Sequence, residues 1–443
     1  MAEEVSYWGL ALRELEKIGA SIYDRVRITK GSLTLEGLLM PPADLSDDKH
    51  VVIKLDNGYN VGIRLGHDVK LELVSRSPKY KPELPEVPIK LREGLPKVAI
   101  ISTGGTIASR VDYVTGAVYP ALSARDLYNV VPELGDIANI DAHILFSIFS
   151  EDMHPNLWSK IAEAVAEKIK DSPEGVVVTH GTDTMGYTAA ALSFALRSLP
   201  VPVVLVGAQR SSDRPSSDAA MNLMDAVLVA AKAPFAEVVV VMHGEVGDTY
   251  TLVHRGVKVR KCHTSRRDAF RSINATPLAK VEGGEIKLLI NNYVPRDRGR
   301  KLEVKARFEE KVALVKIYPG FDGSILDYLV EKGYRGIVLE GTGLGHAPHL
   351  AFNSIKRAID SGLVVVMTSQ CIWGRINMNV YRTGVELLKM GVIPGGDMLP
   401  ETALVKLMWA LGQSKDPDEV KRIMLTNIAG ELSERTQHND YLR

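Results

Sequence analysis

Only two cysteines, Cys262 and Cys371, occur in the 443 residues. Two cannot make a disulfide framework or a four-cysteine zinc site, and so low a count suits a reducing compartment. The eleven histidines offer no metal-ligand spacing with cysteine and no His-Glu-x-x-His helix. Excess charge is missing too: Lys+Arg and Asp+Glu stand at 54 each. Nucleic-acid affinity comes mostly from Lys and Arg against phosphates, so this chain is a poor candidate for holding RNA alone. If RNA is involved, a partner holds most of it. No apolar run approaches the length of about 20 residues that spans a membrane. The opening "MAEEVSYWGLALREL" carries acids early and lacks the long apolar core that a signal peptide has. The expectation is a cytoplasmic protein.

At 45% hydrophobic and 24% charged, without low-complexity tracts, the chain should be globular. Its length suggests about three domains. Trp8, Leu10, Leu12, Leu15 and Ile18 give residues 3–19 an imperfect helical period. "DRVRIT", "LTLEGLLM", "HVVIKL", "NVGIRL" and "VKLELV" follow as short runs between Gly, Asn and Asp turns. Five strands so close together suggest a small β-barrel-like domain over 1–75, read as an interaction module. Pro78, Pro82, Pro85, Pro88 and Pro96 then mark 76–96 as a semi-rigid linker.

Beyond it the chain alternates strand, loop and helix. "KVAIIST", "GVVVTH", "VPVVLVGA" and "AEVVVVMHG" are β-branched runs suited to a parallel sheet covered on both faces. Helices are expected at 157–170, 185–198 and 218–232. A charged connector at 294–310 leads to "KVALVKIY", "GIVLEG" and "LVVVMTS", with helices near 324–333, 351–362 and 401–412. The expected architecture is thus a small β domain and two α/β domains with parallel sheets, at 97–293 and 311–443.

In open parallel sheets, function gathers on loops at the carboxyl ends of strands. Two such loops stand out, "STGGTIAS" (102–109) and "THGTDTM" (179–185). Neither binds phosphate by a known pattern: Gly104-Gly105-Thr106 lacks the Gly-Lys-Ser/Thr of a P-loop and the G-x-G-x-x-G of a dinucleotide fold. "GTGLGH" (341–346) has Gly341 and Gly343, but His346 fills the third glycine position. Baring a hydroxyl is the other use. A threonine is a weak nucleophile and needs a base or network to take its proton. The second loop puts Thr182 beside Asp183, and a lysine next to both could complete a relay. Alternatively Asp183 caps the helix beginning near Met185. The joint occurrence of both loops at strand ends favours chemistry.

These loops resemble the paired threonine signatures of the bacterial-type L-asparaginase/glutaminase family. The similarity continues through "YVTGAVYP" (113–120), "SEDMHP" (150–155), "VGAQRSSDRPSSDAAMNL" (206–223) and "VRKCHTSRRDAFRS" (259–272), covering roughly 97–425. The resemblance implies that Thr106 is the nucleophile, with Tyr113 on a mobile lid. It implies Thr182, Asp183 and Lys261 as the second threonine and its activating partners, and Ser150 and Glu151 as substrate contacts. Backbone amides near Thr106 and Thr182 would then form an oxyanion hole. Two departures stand out: Glu151 where the family often has Gln, and Leu344 where it often has Asn directed to a neighbouring protomer.

With residues 1–96 included, the chain resembles the D-subunit family of the archaeal glutamyl-tRNA(Gln) amidotransferases. That implies hydrolysis of glutamine to supply ammonia to a partner, the amidotransferase E subunit, with ATP and Mg on that partner and no cofactor here. It also implies tRNA held mainly by the partner and a homodimeric core. The competing expectations are a stand-alone cytoplasmic L-asparaginase/glutaminase and a non-catalytic scaffold.

Remaining residues take structural readings. His180 is read as a hydrogen-bonding support, Cys262 as a small half-buried side chain, and Asp218 as the cap of the helix containing Asn222. Arg210 and Arg214 fit either salt bridges or a partner contact.

Overall fold

In the computed structural model, residues 7–40, 42, 47–56, 60–76, 92–105, 109–111, 118–120, 127, 131–210 and 216–436 are described. Most of the Pro-rich linker, Thr106, Tyr113 and Arg214 lie outside them. The chain divides into a small N-terminal unit and a larger one.

In the small unit, helix α1 (Gly9–Ile18) ends on Gly19, whose φ of 64° takes the left-handed conformation that glycine tolerates. Five strands follow: β1 (Arg25–Lys30), β2 (Leu33–Leu39), β3 (His50–Lys54), β4 (Asn60–Arg64) and β5 (Val69–Ser75). All neighbours are antiparallel, in the order β4-β3-β2-β1-β5. No ladder joins β4 to β5 among the described residues, so the unit is one five-stranded sheet. Alternate residues Val26, Ile28, Val51 and Ile53 turn inward onto Ala11 and Leu15 of α1. Tyr7 stitches this core: its hydroxyl donates to the Met40 carbonyl at 2.7 Å and accepts the Val52 N–H at 2.9 Å. Burial raises the pKa of that phenol.

The larger unit opens with five parallel strands, β6 (Lys97–Gly104), β7 (Asn139–Ile148), β8 (Gly175–Thr179), β9 (Val203–Val206) and β10 (Val238–His243). Their alternate residues feed two cores. Ile100, Val177, Val204 and Val239 face helix α4 (Ala219–Lys232). Ile101, Val178, Leu205 and Val240 face α2 (Pro155–Lys170) and α3 (Met185–Ala195). Burial on both faces is why β6, β8, β9 and β10 read as unbroken apolar runs.

This first sheet is not wholly parallel, as the sequence had suggested. Beside β10 lies β11 (Tyr250–Arg255), which runs antiparallel. Next in sequence comes a separate two-stranded ribbon, β12 (Val259–Lys261) and β13 (Phe270–Ser272). The chain returns to the sheet with β14 (Ala279–Glu282) and β15 (Glu285–Leu288), giving the order β15-β14-β11-β10-β9-β8-β6-β7. No helix intervenes between β10 and β11, so the chain reverses by a short turn; a parallel neighbour would have needed a crossover.

The second sheet is parallel: β16 (Val312–Lys316), β17 (Gly336–Gly341), β18 (Val364–Ser369) and β19 (Ile393–Pro394). Around it lie α5 (Ser324–Glu331), α6 (Phe352–Asp360), α7 (Arg382–Met390), α8 (Pro400–Gln413) and α9 (Pro417–Leu425). The two halves share one core, in which Trp158, Ala191 and Phe194 meet Val338, Leu407 and Trp409. Phe194 stacks on Trp409 with centroids 5.8 Å apart. Two buried ion pairs cross or flank this junction, Lys258–Asp397 at 2.7 Å and Lys406–Glu431 at 2.5 Å.

Candidate active site at the switch point of the first sheet

Among the parallel strands, β6 pairs with β7 on one side and β8 on the other. Strand order therefore reverses between β6 and β8, and ligands of doubly wound sheets bind in the crevice outside such a point. The two threonine loops leave these two neighbouring strands at their carboxyl ends.

Three strand ends converge there with almost no side chain between them. Gly104 has φ +113°, and a Cβ on it would lie 2.3 Å from the Ile148 carbonyl oxygen at the end of β7. Gly105, at φ +82°, would place a Cβ 2.8 Å from the Gly181 nitrogen. A Cβ on Gly181 would in turn meet the Ser150 Cβ at 2.7 Å. Only glycine gives this close approach in these conformations. Behind it, Thr103 donates its hydroxyl to the Thr179 carbonyl at 2.8 Å, and Thr179 donates to Ser102 Oγ at 3.2 Å.

Lys261 reaches the second loop from the β12–β13 ribbon. Its Nζ lies 2.9 Å from Thr182 Oγ1 and 2.8 Å from Asp183 Oδ1. The lysine side chain is 13% exposed and the aspartate 68%, so one end of the triad is shielded and the other open. Asp183 does not cap the helix: Thr184 occupies the N-cap position of α3, without a side-chain cap bond, and the Asp183 carboxylate is turned to Lys261. Thr184 instead donates to the Ser150 carbonyl at 2.7 Å, tying the 150–152 turn to the same loop. Ser150 is buried and Glu151 is exposed. The structure thus brings together Thr182, Asp183, Lys261 and Ser150, with Gly105, next in sequence to Thr106, against Gly181.

His180 is fully buried, and burial pushes its imidazole down to about 4, so the ring is neutral. The network assigns its tautomer. Nδ1–H donates to the Gly181 carbonyl at 2.7 Å, while Nε2 accepts from Thr188 at 2.9 Å. Thr188 in turn accepts Trp158 Nε1–H at 3.1 Å. A neutral ring held this way is a support for the turn, not a base.

Two readings from sequence need correction. Asp218 stands at the N-cap position of α4, but its carboxylate accepts no backbone N–H from the helix's own first turn. It holds the Gln209 and Arg210 amides at 3.0 and 2.9 Å, because that loop presents two N–H groups with no strand partner. Cys262 is exposed rather than half-buried, since it begins the loop that closes the ribbon. Sequence reasoning also passed over Ser102, Thr103, Thr179 and Thr188. The available signal was hydroxyls interrupting otherwise apolar runs. Among the described residues, no cluster of three metal-ligating side chains occurs and no helix is long and apolar enough to cross a membrane.

Family models match this architecture. "Asparaginase, N-terminal" covers 97–293 and "Glutaminase/Asparaginase C-terminal domain" covers 311–424. The L-asparaginase of Thermococcus kodakarensis superposes with a TM-score of 0.69 at 34% identity, over 76% of this chain and 99% of that one. L-asparaginase I of Vibrio cholerae gives 0.67 at 30% identity, over the same shares. Fold and site together define an asparaginase/glutaminase-type amidohydrolase. The third match, "GatD N-terminal domain" over 20–74, narrows the class. The glutamyl-tRNA(Gln) amidotransferase D subunit of Pyrococcus abyssi is 58% identical over 435 residues, 97% of this chain and 99% of that one. Its namesake in Pyrococcus furiosus is 56% identical over 434 residues, 97% and 98% of the two chains. The chain belongs to the D-subunit family of the glutamyl-tRNA(Gln) amidotransferases.

Proposed function

We propose that this chain is the glutaminase component of a tRNA-dependent amidotransferase, releasing ammonia from glutamine to convert Glu-tRNA(Gln) to Gln-tRNA(Gln). The observation that carries it is Lys261 shared between Thr182 and Asp183 at the switch point, within a chain related end to end to amidotransferase D subunits.

Thr106 attacks the carboxamide carbon of glutamine, and a water then releases glutamate from the resulting ester. Thr182, Lys261 and Asp183 form the relay that takes a proton from the attacking oxygen and delivers it to the departing ammonia. Asp183 keeps the ammonium of Lys261 within reach of Thr182 while remaining open to solvent, a path for proton exchange. Ser150 and Glu151 contact the substrate, and Tyr113 lies on a lid that excludes water until glutamine is seated. Backbone amides near Thr106 and Thr182 hold the oxyanion.

The partner is the amidotransferase E subunit, which activates the tRNA-bound glutamate with ATP and Mg and holds most of the tRNA. The neutral balance of charge in this chain fits that division. A homodimer forms the core of the assembly, a heterotetramer with the E subunit, in the cytoplasm.

The test measures glutamine and asparagine hydrolysis by the chain alone, then with the E subunit and Glu-tRNA(Gln). Thr106→Ala and Lys261→Ala each abolish ammonia release while the far-UV spectrum and Tm stay unchanged. Near-normal turnover in either variant overturns the assignment. Strong asparagine hydrolysis without the partner favours a stand-alone asparaginase instead.

A further inference from the structure

The loops on either side of the Thr182–Lys261 contact are joined by a hydrogen-bonded chain that neither loop motif contains. It starts behind Thr182. Gly207, at the end of β9, lies so close that a Cβ on it would meet Thr182 Cγ2 at 2.9 Å. The Gly207 carbonyl accepts Asn222 Nδ2 at 3.0 Å, and the same amide donates to Asp218 Oδ2 at 2.9 Å. Asp218 meanwhile holds the backbone of Gln209 and Arg210.

With its amide hydrogens so directed, Asn222 presents Oδ1 as an acceptor, 2.6 Å from His243 Nδ1. On the other side of the ring, His243 Nε2 lies 3.0 Å from Asp248 Oδ1. Both ring nitrogens therefore face oxygen acceptors. Asp248 Oδ1 also takes Arg267 Nη1 at 2.5 Å, and Arg267 Nη2 bonds the Val246 carbonyl. Arg267 belongs to the loop joining β12 to β13, so the chain ends on the ribbon that carries Lys261. Arg271 of β13 adds a bond to the Gly244 carbonyl at 3.2 Å. Asp218, Asn222 and His243 are fully buried and Arg267 is 8% exposed; only Asp248 reaches solvent.

We propose that His243, Asp248 and Arg267 are positioning residues that set the distance between Lys261 and Thr182, by locking the ribbon to the loop behind Thr182. The proposal rests on the role given above to Lys261. A two-stranded ribbon is at best marginally stable by itself, so it takes its position from what it is tied to. The ribbon's own contacts fix its shape: Cys262 N–H donates to the Ala269 carbonyl at 2.7 Å, and Arg266 and Arg271 both grip Asp268. None of these sets its place relative to Thr182. Two other anchors do: Val259, Ala269 and Phe270 seat the body of the ribbon in the core beside α3, and the Asp248 carboxylate ties its loop to His243 by bonding both His243 and Arg267.

The test uses Asp248, whose side chain is 62% exposed and whose replacement leaves the core intact. In the full complex with the E subunit, Asp248→Ala lowers kcat for glutamine hydrolysis by about tenfold or more, since small misplacements near the chemistry carry such effects. KM moves less than about twofold, because substrate contacts are elsewhere. Asp248→Glu, which can still reach Arg267, restores most of the rate. Hydrogen exchange supplies a readout that does not depend on catalysis: amides of 259–272 exchange faster in Asp248→Ala, and those of β8 do not. Unchanged exchange in the ribbon overturns the proposal whatever the rate. Faster exchange with full activity overturns the coupling to Lys261. Inactivity of the unmodified chain would instead count against the glutaminase reading itself.

Discussion

Replacing Gly105 with alanine tests the packing at the switch point more directly than any change to a reacting side chain. Gly105 sits at φ +82°, and a Cβ there would lie 2.8 Å from the Gly181 nitrogen and 2.9 Å from the His180 carbonyl carbon. A left-handed conformation costs a residue with a Cβ about 1–2 kcal/mol. The overlap is a second burden, because both opposing atoms are backbone and cannot rotate away. Ordinary contact begins near 3.4 Å, so the two strand ends must part by about 0.6 Å. That motion separates Gly105 from the segment carrying Thr182. A misplacement of about 1 Å at a reacting centre lowers rates about 100-fold, so a shift of this size lowers kcat by about 10- to 20-fold. The assay is ammonia release from glutamine in the assembled complex, alongside Tm. Turnover within twofold of the unmodified chain, at unchanged Tm, refutes the reasoning, for it would mean that the contact between 105 and 181 does not set the geometry.

Other perturbations address stability. Lys406 is fully buried and donates to Glu431, to the Met424 carbonyl at 3.0 Å and to the Thr426 carbonyl at 2.7 Å. Lys406→Met strands the buried Glu431 carboxylate and is expected to cost about 3–5 kcal/mol, read from the denaturant midpoint. Adding Glu431→Gln recovers part of it, and a single variant of unchanged stability contradicts the burial argument. The acid limb of stability also follows from two imidazoles. Burial lowers His180 to about 4 and His254 to about 3. Both are neutral when folded, so below the unfolded value of 6.5 the unfolded chain binds more protons. Stability is therefore lost as the pH falls from 6.5 through about 4, by about 3 kcal/mol for His180 alone. Thermal melts between pH 7 and 4.5 check this, and His254→Gln should flatten the profile.

Much of the larger unit could be read from its residues. Val176–Val178 and Val238–Val241 are buried on both faces, so composition alone marks them as strands. Strand β7 escaped because it lies at the sheet edge, where "NIDAHILFSI" mixes charged and apolar residues and is only partly buried. The antiparallel arm escaped for another reason: short alternating runs do not reveal the direction of their neighbours. At the site, Thr182 and Asp183 are adjacent and their loop is recognisable, whereas Lys261 becomes their partner only when the ribbon folds over. The chain from Asp218 to Arg267 has no local signature at all. Its members come from a helix start, a strand end, a turn and a loop, and only the tertiary structure shows that each supplies the bond the next one lacks.

The core shared by Phe194 and Trp409 has a consequence for how this chain can be divided. Each half carries one side of a buried aromatic stack, and Thr402 donates from α8 to the Val257 carbonyl at 3.0 Å. Separated, both halves would present wide apolar surfaces to water and tend to aggregate. Cut within the connector at 294–310, they would stay together as a two-piece protein. The boundary between the two family models, at 293–311, is therefore no boundary of folding, and cooperative unfolding should run straight across it.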